Sequence, residues 1–219
     1  DYVGTSGVSV ASSSWPIIEA RSAVALFGSA RDGLPITFGV SGHIGSQNYK
    51  FSPIAGTYLT TSEDVGIKTW SVNADLDVPI TKRVRFQTEA FMGSNLSTFI
   101  GGVNQGVDLY RRAGIEASGG WMGFHIDLTE KLVTNFGYGI DKPKSDDLVG
   151  TTTVSNGKTY VRTKNELFFT NFLYNWSKNL MTGVEFSYYN TGYRRADVSG
   201  EAPVFSEMAS GKNFRTEVT

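Results

Sequence analysis

Apolar and polar residues alternate along most of this 219-residue chain, at the two-residue period of a β-strand whose two faces differ. At 67–78, for example, the even positions from Trp70 to Val78 are apolar, and the odd positions from Ser71 to Asp77 are polar. Eight further segments repeat the pattern, so the sequence predicts nine strands, the fifth with a bulge at Gly119 and Gly120. Val8 and Val10 offer a tenth, with a weaker signal.

The joins between these segments alternate between short and long. Short joins are predicted at 29–34, 79–83, 129–131 and 177–179, and long polar joins at 46–66, 94–111, 142–160 and 190–212. Short turns at one end of the strands and long loops at the other are typical of bacterial outer-membrane barrels, whose short turns face the periplasm. We therefore predict an all-β fold over a single domain, 1–219, as a transmembrane antiparallel up-and-down β-barrel.

Charge separates the two faces of the predicted strands. The apolar faces contain no charged residue, whereas the opposite faces carry Glu19, Arg21, Asp75, Asp77, Arg85, Glu89, Asp127, Glu185, Arg215 and Glu217. A Lys or Arg on the lipid face costs about 2–4 kcal/mol near the midplane, so a membrane barrel needs a charge-free outer face. The alternative is a soluble β-sandwich or lipocalin-like barrel, which would turn the same apolar face towards an inner core.

Composition narrows the functional classes. The formal net charge of −1 gives no electrostatic case for nucleic acid as a partner. The absence of cysteine removes any disulfide framework. No run approaches the roughly 20 consecutive apolar residues that a membrane helix needs. This does not argue against a membrane barrel, because only alternate residues of its strands face lipid.

Three stretches of the sequence resemble bacterial outer-membrane porins. They are 74–83 (ADLDVPITKR), 119–124 (GGWMGF) and 136–141 (FGYGID). The pattern is similar to that of DcaP-like trimeric porins and related large barrels of Gram-negative bacteria. This resemblance implies a sixteen-stranded homotrimer and passive uptake of small hydrophilic or anionic solutes. Outer-membrane lipid is an expected partner of the predicted barrel, and no cofactor is expected.

Two features depart from that family. Such porins end in an aromatic residue, whereas this chain ends in Glu217, Val218 and Thr219. Nine strands also conflict with the even number found in single-chain bacterial barrels. The expectation is therefore a C-terminal portion of a larger barrel, incomplete at one or both ends.

Charges on the predicted inner face are the candidate functional residues, because lumen-facing side chains set the selectivity of a pore. The candidates are Glu19, Arg21, Asp75, Arg85, Glu89, Glu185, Arg215 and Glu217. In the alternative interpretation, arginines and carboxylates pair across strands only to neutralise a narrow interior.

The segment 96–106 (LSTFIGGVNQG) is unusually apolar for an outside loop. Two placements fit it: folded into the lumen, where it narrows the channel, or packed at the surface against its neighbours or another subunit.

Other chemistry finds little support. The acidic segment 141–147 lacks the glycine and the distal glutamate of a calcium loop, so solvated charge is the expectation there. His43 and His125 are the only histidines and make a poor metal set without cysteine. Asp127 follows His125 by two residues, but no nucleophile-elbow motif accompanies them, so no enzyme activity is predicted.

Three functions remain to be separated. The first is a diffusion porin with a charged lumen. The second is a non-conducting outer-membrane barrel that serves as a structural element, adhesin or assembly component. The third is a soluble ligand-binding β-barrel.

Overall fold

The computed structural model describes residues 8–26, 34–53, 60–150, 153–154, 158–197 and 204–218. These residues form an all-β structure, with three 3-10 turns at Ser97–Phe99, Gly102–Asn104 and Ser145–Asp147. The strands are β1 (Val8–Leu26), β2 (Ile36–Phe51), β3 (Glu63–Pro79), β4 (Val84–Ser94), β5 (Val107–Asp108), β6 (Ala113–Gly114), β7 (Glu116–Asp127), β8 (Leu132–Pro143), β9 (Thr153–Val154), β10 (Lys158–Ser177), β11 (Leu180–Asp197) and β12 (Val204–Val218).

The long strands form one antiparallel up-and-down sheet. Its order is β1-β2-β3-β4-β7-β8-β10-β11-β12, with β9 paired to β10, while β5 and β6 form a separate ribbon. The nine predicted strands and their meander are confirmed. Within the described residues β1 pairs only with β2, and β12 only with β11, so the sheet has two edges.

The short joins follow from threonine chemistry at two of the predicted turns. Thr81 Oγ1 accepts the backbone N–H groups of Arg83 and Val84, and Thr129 Oγ1 accepts those of Lys131 and Leu132. A hydroxyl that bonds nearby backbone donors stabilises a tight turn. The turns at 79–83 and 129–131 are thus confirmed, as is the two-residue join at 178–179. The turn at 29–34 lies almost wholly outside the described residues.

The predicted long joins are shorter than expected, because the strands continue into them. β2 runs on to Phe51 and β3 starts at Glu63, while β11 runs on to Asp197 and β12 starts at Val204. In the extension of β2 the apolar residues Tyr49 and Phe51 lie on the face of His43 rather than on that of Ile44, so the exposed apolar face ends although backbone pairing continues. Backbone ladders need no apolar side chains, which is why the pattern marks the apolar belt rather than the whole strand.

Two local predictions are wrong. Val8 and Val10 do not begin a separate tenth strand, because β1 is continuous from Val8. Its pairing with β2 shifts register between Val10 and Ile18 without a break in the strand. No bulge occurs at Gly119 and Gly120, which pair in register with both neighbouring strands. A Cβ at Gly119 would lie 2.7 Å from the Phe91 ring, so the glycine makes room for that ring instead.

The apolar face of the sheet is uncovered. Large side chains along it are about half exposed, including Ile44 at 51 %, Val72 at 51 % and Phe168 at 51 %. Phe86, Phe124 and Phe136 form a cross-strand ladder there, with ring centroids 5.0 and 5.1 Å apart. No helix in the described part of the chain is long and apolar enough to cross a membrane.

The buried core lies at the loop end of the sheet. One cluster joins Phe51 of β2 to Ala196 of β11 through Leu109 and Tyr110, which belong to the connection 95–115. β2 and β11 are far apart in the strand order, so the sheet must curve around this connection to bring them together. We call residues 95–115 the β4–β7 loop.

Candidate functional site

The eight candidate residues lie on one face of the sheet. Residues directly opposite each other in neighbouring strands share a face, and the pairings can be followed across the sheet. Asp75 lies opposite Glu89, and Glu185 lies opposite Glu217. The pairings place all of Glu19, Arg21, Asp75, Arg85, Glu89, Glu185, Arg215 and Glu217 on the face opposite the exposed apolar one. We call it the polar face.

The three candidate arginines each meet a carboxylate on this face. Arg21 Nη2 lies 2.7 Å from Asp75 Oδ1, and Arg215 pairs with Glu217. Arg85 Nε lies 3.5 Å from Oδ1 of Asp77. Partly exposed ion pairs of this kind contribute little to stability, about 0–1 kcal/mol. Their consequence is local neutrality, since each arginine cancels one nearby carboxylate.

A row of polar side chains crosses the sheet near its short turns. His125 Nδ1 is 2.9 Å from Asn135 Oδ1, and Asn135 Nδ2 donates to Asn171 Oδ1 at 2.8 Å. Asn171 Nδ2 in turn donates to Glu185 Oε2 at 3.1 Å. Sequence alternation placed these residues on one face, but not in one connected row. The continuous hydrogen bonding gives the polar face a fixed, hydrophilic wall.

The apolar segment 96–106 lies over the polar face. The Phe99 ring stacks on the His43 imidazole of β2, with centroids 3.9 Å apart and planes 23° apart. Leu96 packs onto Gly93 of β4, where a Cβ would come within 2.9 Å of Leu96 Cδ2. The segment therefore packs against the polar face of the sheet.

Asp141 of β8 anchors that segment through backbone donors. Its Oδ1 accepts the Gly102 N–H at 3.1 Å, and its Oδ2 accepts the Val103 N–H at 2.6 Å. Val103 has a φ of 53° and a ψ of 36°, a left-handed conformation that β-branched residues avoid. Strain of about 1–3 kcal/mol at such a residue persists only where its surroundings hold it, and the carboxylate supplies that hold.

Asp108 ties the β4–β7 loop to the next loop along the chain. Its Oδ1 accepts the N–H groups of Tyr110 and Arg111, and its Oδ2 accepts those of Val149 and Gly150, at distances of 2.7–3.0 Å. Burial raises the pKa of Asp108, while the four N–H groups lower it by a smaller amount. The buried carboxyl thus joins two loops that sequence separates.

Gln105 and Arg162 complete the attachment of the loop. Gln105 Nε2 donates to the Arg162 carbonyl at 2.7 Å, and the Arg162 N–H donates to Gln105 Oε1 at 2.9 Å. On the other side of the loop, Arg112 Nη1 lies 2.5 Å from Glu63 Oε2. The loop is therefore held at both β3 and β10, across the polar face.

A groove of about 560 Å³ lies between the loop and the sheet. Its lining includes Glu19, Arg21, Glu89, Phe91, Phe99 and Trp121. This volume falls in the range of pockets that hold small molecules, about 300–1,000 Å³. Three of the eight predicted site residues, Glu19, Arg21 and Glu89, line this groove, and Asp75 lies beside it through its ion pair with Arg21. The other four, Arg85, Glu185, Arg215 and Glu217, lie elsewhere on the polar face.

The two histidines are held by hydrogen bonds on the polar face. In the described residues no three His, Cys, Asp or Glu side chains are close enough together to hold a metal ion. His43 bonds Ser71 Oγ through Nδ1 at 2.7 Å and Thr69 Oγ1 through Nε2 at 2.9 Å. His125 Nε2 lies 3.2 Å from Asp127 Oδ1. Both imidazoles lie on the polar face, opposite Glu19 and Arg85 respectively.

Sequence reasoning missed the anchors of the loop. The segment 141–147 was expected to carry solvated charge, but Asp141 binds two backbone donors and Asp147 accepts the Glu116 N–H at 3.1 Å. That expectation is wrong for these two residues. A signal existed at Asp108, a lone acid between apolar residues in VDLY, which indicates a buried carboxylate with backbone partners. No local signal identified Asp141, since its partners lie at 102 and 103.

No protein-family model matches this chain, and comparisons with curated proteins and with solved structures find no match either.

Proposed function

We propose that this chain forms part of the wall, and one inner loop, of a transmembrane β-barrel in the bacterial outer membrane. The barrel would be a porin, through which small polar solutes diffuse. The observation that carries the proposal is the exposed apolar face. Monomeric soluble proteins rarely expose contiguous apolar patches larger than a few hundred Å². A soluble sandwich or ligand-binding barrel would bury this face, whereas here its large side chains are about half exposed.

The height of the apolar belt supports a membrane location. On β10 the belt lies between Glu166 and Trp176, which spans about 33 Å along the strand at about 3.3 Å per residue. A tilt of about 40° converts this to a height of about 25 Å, the usual height of the apolar band of an outer-membrane barrel.

Both boundaries of the belt carry interfacial side chains. At the loop side, Glu166 accepts hydrogen bonds from Lys164, Asn190 and Tyr138 at 2.7–3.0 Å. At the turn side, Trp176 packs edge-on against Tyr174, with centroids 4.7 Å apart. Aromatic and charged groups of this kind favour the two water interfaces of a membrane.

Closure of the barrel is part of the proposal. The free edges of β1 and β12 would pair with further strands, because an open sheet edge cannot lie in lipid with its backbone groups unsatisfied. The porin resemblance supplies a sixteen-stranded trimer as the complete assembly. The polar face then lines the lumen, and the β4–β7 loop narrows it.

Conductance tests this function. The full-length protein, reconstituted in a planar bilayer, is expected to give stepwise current that changes when Arg85→Ala or Arg215→Ala alters the charge of the wall. A correctly folded full-length protein that carries no current would refute the porin proposal.

A non-conducting outer-membrane barrel is the second candidate, and one observation favours it. The β4–β7 loop packs a buried cluster containing Leu109, Tyr110 and Phe51 inside the curve of the sheet, as a plug would. This candidate predicts a barrel with heat-modifiable migration on a gel but no current. Deletion of 96–106 would then open the pore, whereas in a porin it would only enlarge the existing current.

A further inference from the structure

We infer that the groove under the β4–β7 loop binds solutes that carry a small organic cation, such as an alkylated ammonium group. As a statement about transport this rests on the proposed porin function, whereas binding to the groove can be measured without it. The inference differs from the anionic solutes that the family resemblance implies. It follows from the charges left over in the groove and from the aromatic rings beside them.

Arg21, which lines the groove, is already paired with a carboxylate. Arg21 is bound to Asp75 at 2.7 Å, and the pair lies over Gly39, where a Cβ would come within 2.6 Å of Arg21 Nη2. The glycine gives the pair its space, so the guanidinium is held against the carboxylate. Arg21 therefore cancels Asp75 and offers little attraction to an anionic solute.

Two carboxylates of the groove have no cationic partner among the described residues. Glu19 lies opposite His43, whose ring nitrogens already bond Ser71 and Thr69. Glu89 lies between Asp75 and Trp121, and its one hydrogen bond is from Trp121 Nε1 at 3.4 Å. The groove therefore keeps two uncompensated negative charges, which repel anions and attract cations.

Aromatic rings lie beside these carboxylates. Trp121 is 44 % exposed and Phe99 is 39 % exposed, and both line the groove together with Phe91. The Phe99 ring is held by stacking on His43, and the Phe91 ring packs against Gly119. Ring faces next to carboxylates attract alkylated ammonium groups through the ring quadrupole, with Trp the strongest of the three ring types.

Neutral sugars are the competing ligand class, because they also stack on aromatic rings. They gain nothing from uncompensated charge, however, so a groove for sugars has no reason to keep Glu19 and Glu89 unpaired. The charge requirement therefore distinguishes the two classes, and the experiment is built on it.

The test compares choline with 3,3-dimethyl-1-butanol, which has the same shape but no charge. Isothermal titration of the folded, full-length protein in detergent is expected to show choline binding at least about tenfold tighter than the neutral analogue, since cation–π and carboxylate contacts each contribute at that level. Glu19→Gln and Glu89→Gln should each weaken choline binding several-fold. Glu130→Gln, the same change in the exposed β7–β8 turn, should leave it unchanged.

Equal binding of the two compounds, tighter binding of maltose than of choline, or no binding by the wild-type protein would overturn the inference. Channel recordings separate it from the proposed function. Choline binding without current would refute the porin and leave the cation site standing. Current with a preference for chloride over potassium would support the porin and refute the cation site.

Discussion

Asp141→Asn should release the segment 96–106 of the β4–β7 loop while leaving the sheet intact. The two carboxylate oxygens of Asp141 each accept one backbone N–H, from Gly102 and from Val103. In asparagine one oxygen becomes an NH2 group, so one bond is lost and two N–H groups face each other. A hydrogen bond to a charged group contributes about 1.5–3 kcal/mol, so local opening should become easier by about 2–3 kcal/mol.

Hydrogen exchange measures this opening directly. A change of about 2–3 kcal/mol corresponds to about 30- to 150-fold faster exchange at the amides of 102–105, because each 1.4 kcal/mol is a factor of ten. Asp146→Asn is the matched control, since the Asp146 side chain is exposed and only its carbonyl accepts a hydrogen bond, from Arg111. Unchanged exchange at 102–105 in Asp141→Asn, or equal acceleration in both variants, would refute the anchoring role.

Three further predictions follow from the same structure. Phe172→Arg on the apolar face should lower the unfolding free energy in lipid by about 2–4 kcal/mol, whereas Leu173→Arg, one position along on the polar face, should cost much less; similar losses in urea titrations would contradict the assignment of the faces. Asp108→Asn leaves two of four backbone donors without their acceptor and should lower the free energy of unfolding by about 2–4 kcal/mol. The expected result is faster proteolysis in both 109–112 and 148–150. Cleavage at one site alone would argue against a role of Asp108 in joining the two loops. Gly120→Ala places a methyl group against the Glu89 carbonyl and should destabilise the sheet by about 1–3 kcal/mol, while Gly66→Ala, which meets only the Asn48 side chain at 3.3 Å, should be tolerated.

The sequence could predict the strands wherever one face had to stay free of charge. Along β10, for example, Phe168 and Phe172 alternate with Asn171, and the period is unmistakable. It could not predict how far the strands extend, because at the end of β2 the apolar residues Tyr49 and Phe51 change to the face of His43 while the backbone stays paired. The exposed apolar belt therefore ends before the strand does.

The candidate site was predictable as a face but not as a groove. Alternation assigns Glu19 and Glu89 to the same side of the sheet, since it needs only the parity of each strand. The β4–β7 loop covers the groove and is held there by contacts between residues far apart in sequence, such as Asp141 with Gly102 and Phe99 with His43. Which arginine meets which carboxylate also depends on register, which is why the pairing of Arg21 with Asp75 required the structure.

The most direct test of the central claim, that the apolar face lies in lipid and the polar face in water, is a spin-label scan along β10. The chain has no cysteine, so single cysteines can be placed at each position from 168 to 175 and labelled with a nitroxide in reconstituted vesicles. If the apolar face lies in lipid, the collision rates should follow a two-residue period, with oxygen collisions highest at 168, 170, 172 and 174 and collisions with a water-soluble nickel chelate highest at 169, 171, 173 and 175. Nickel access at the even positions, or no alternation at all, would contradict it.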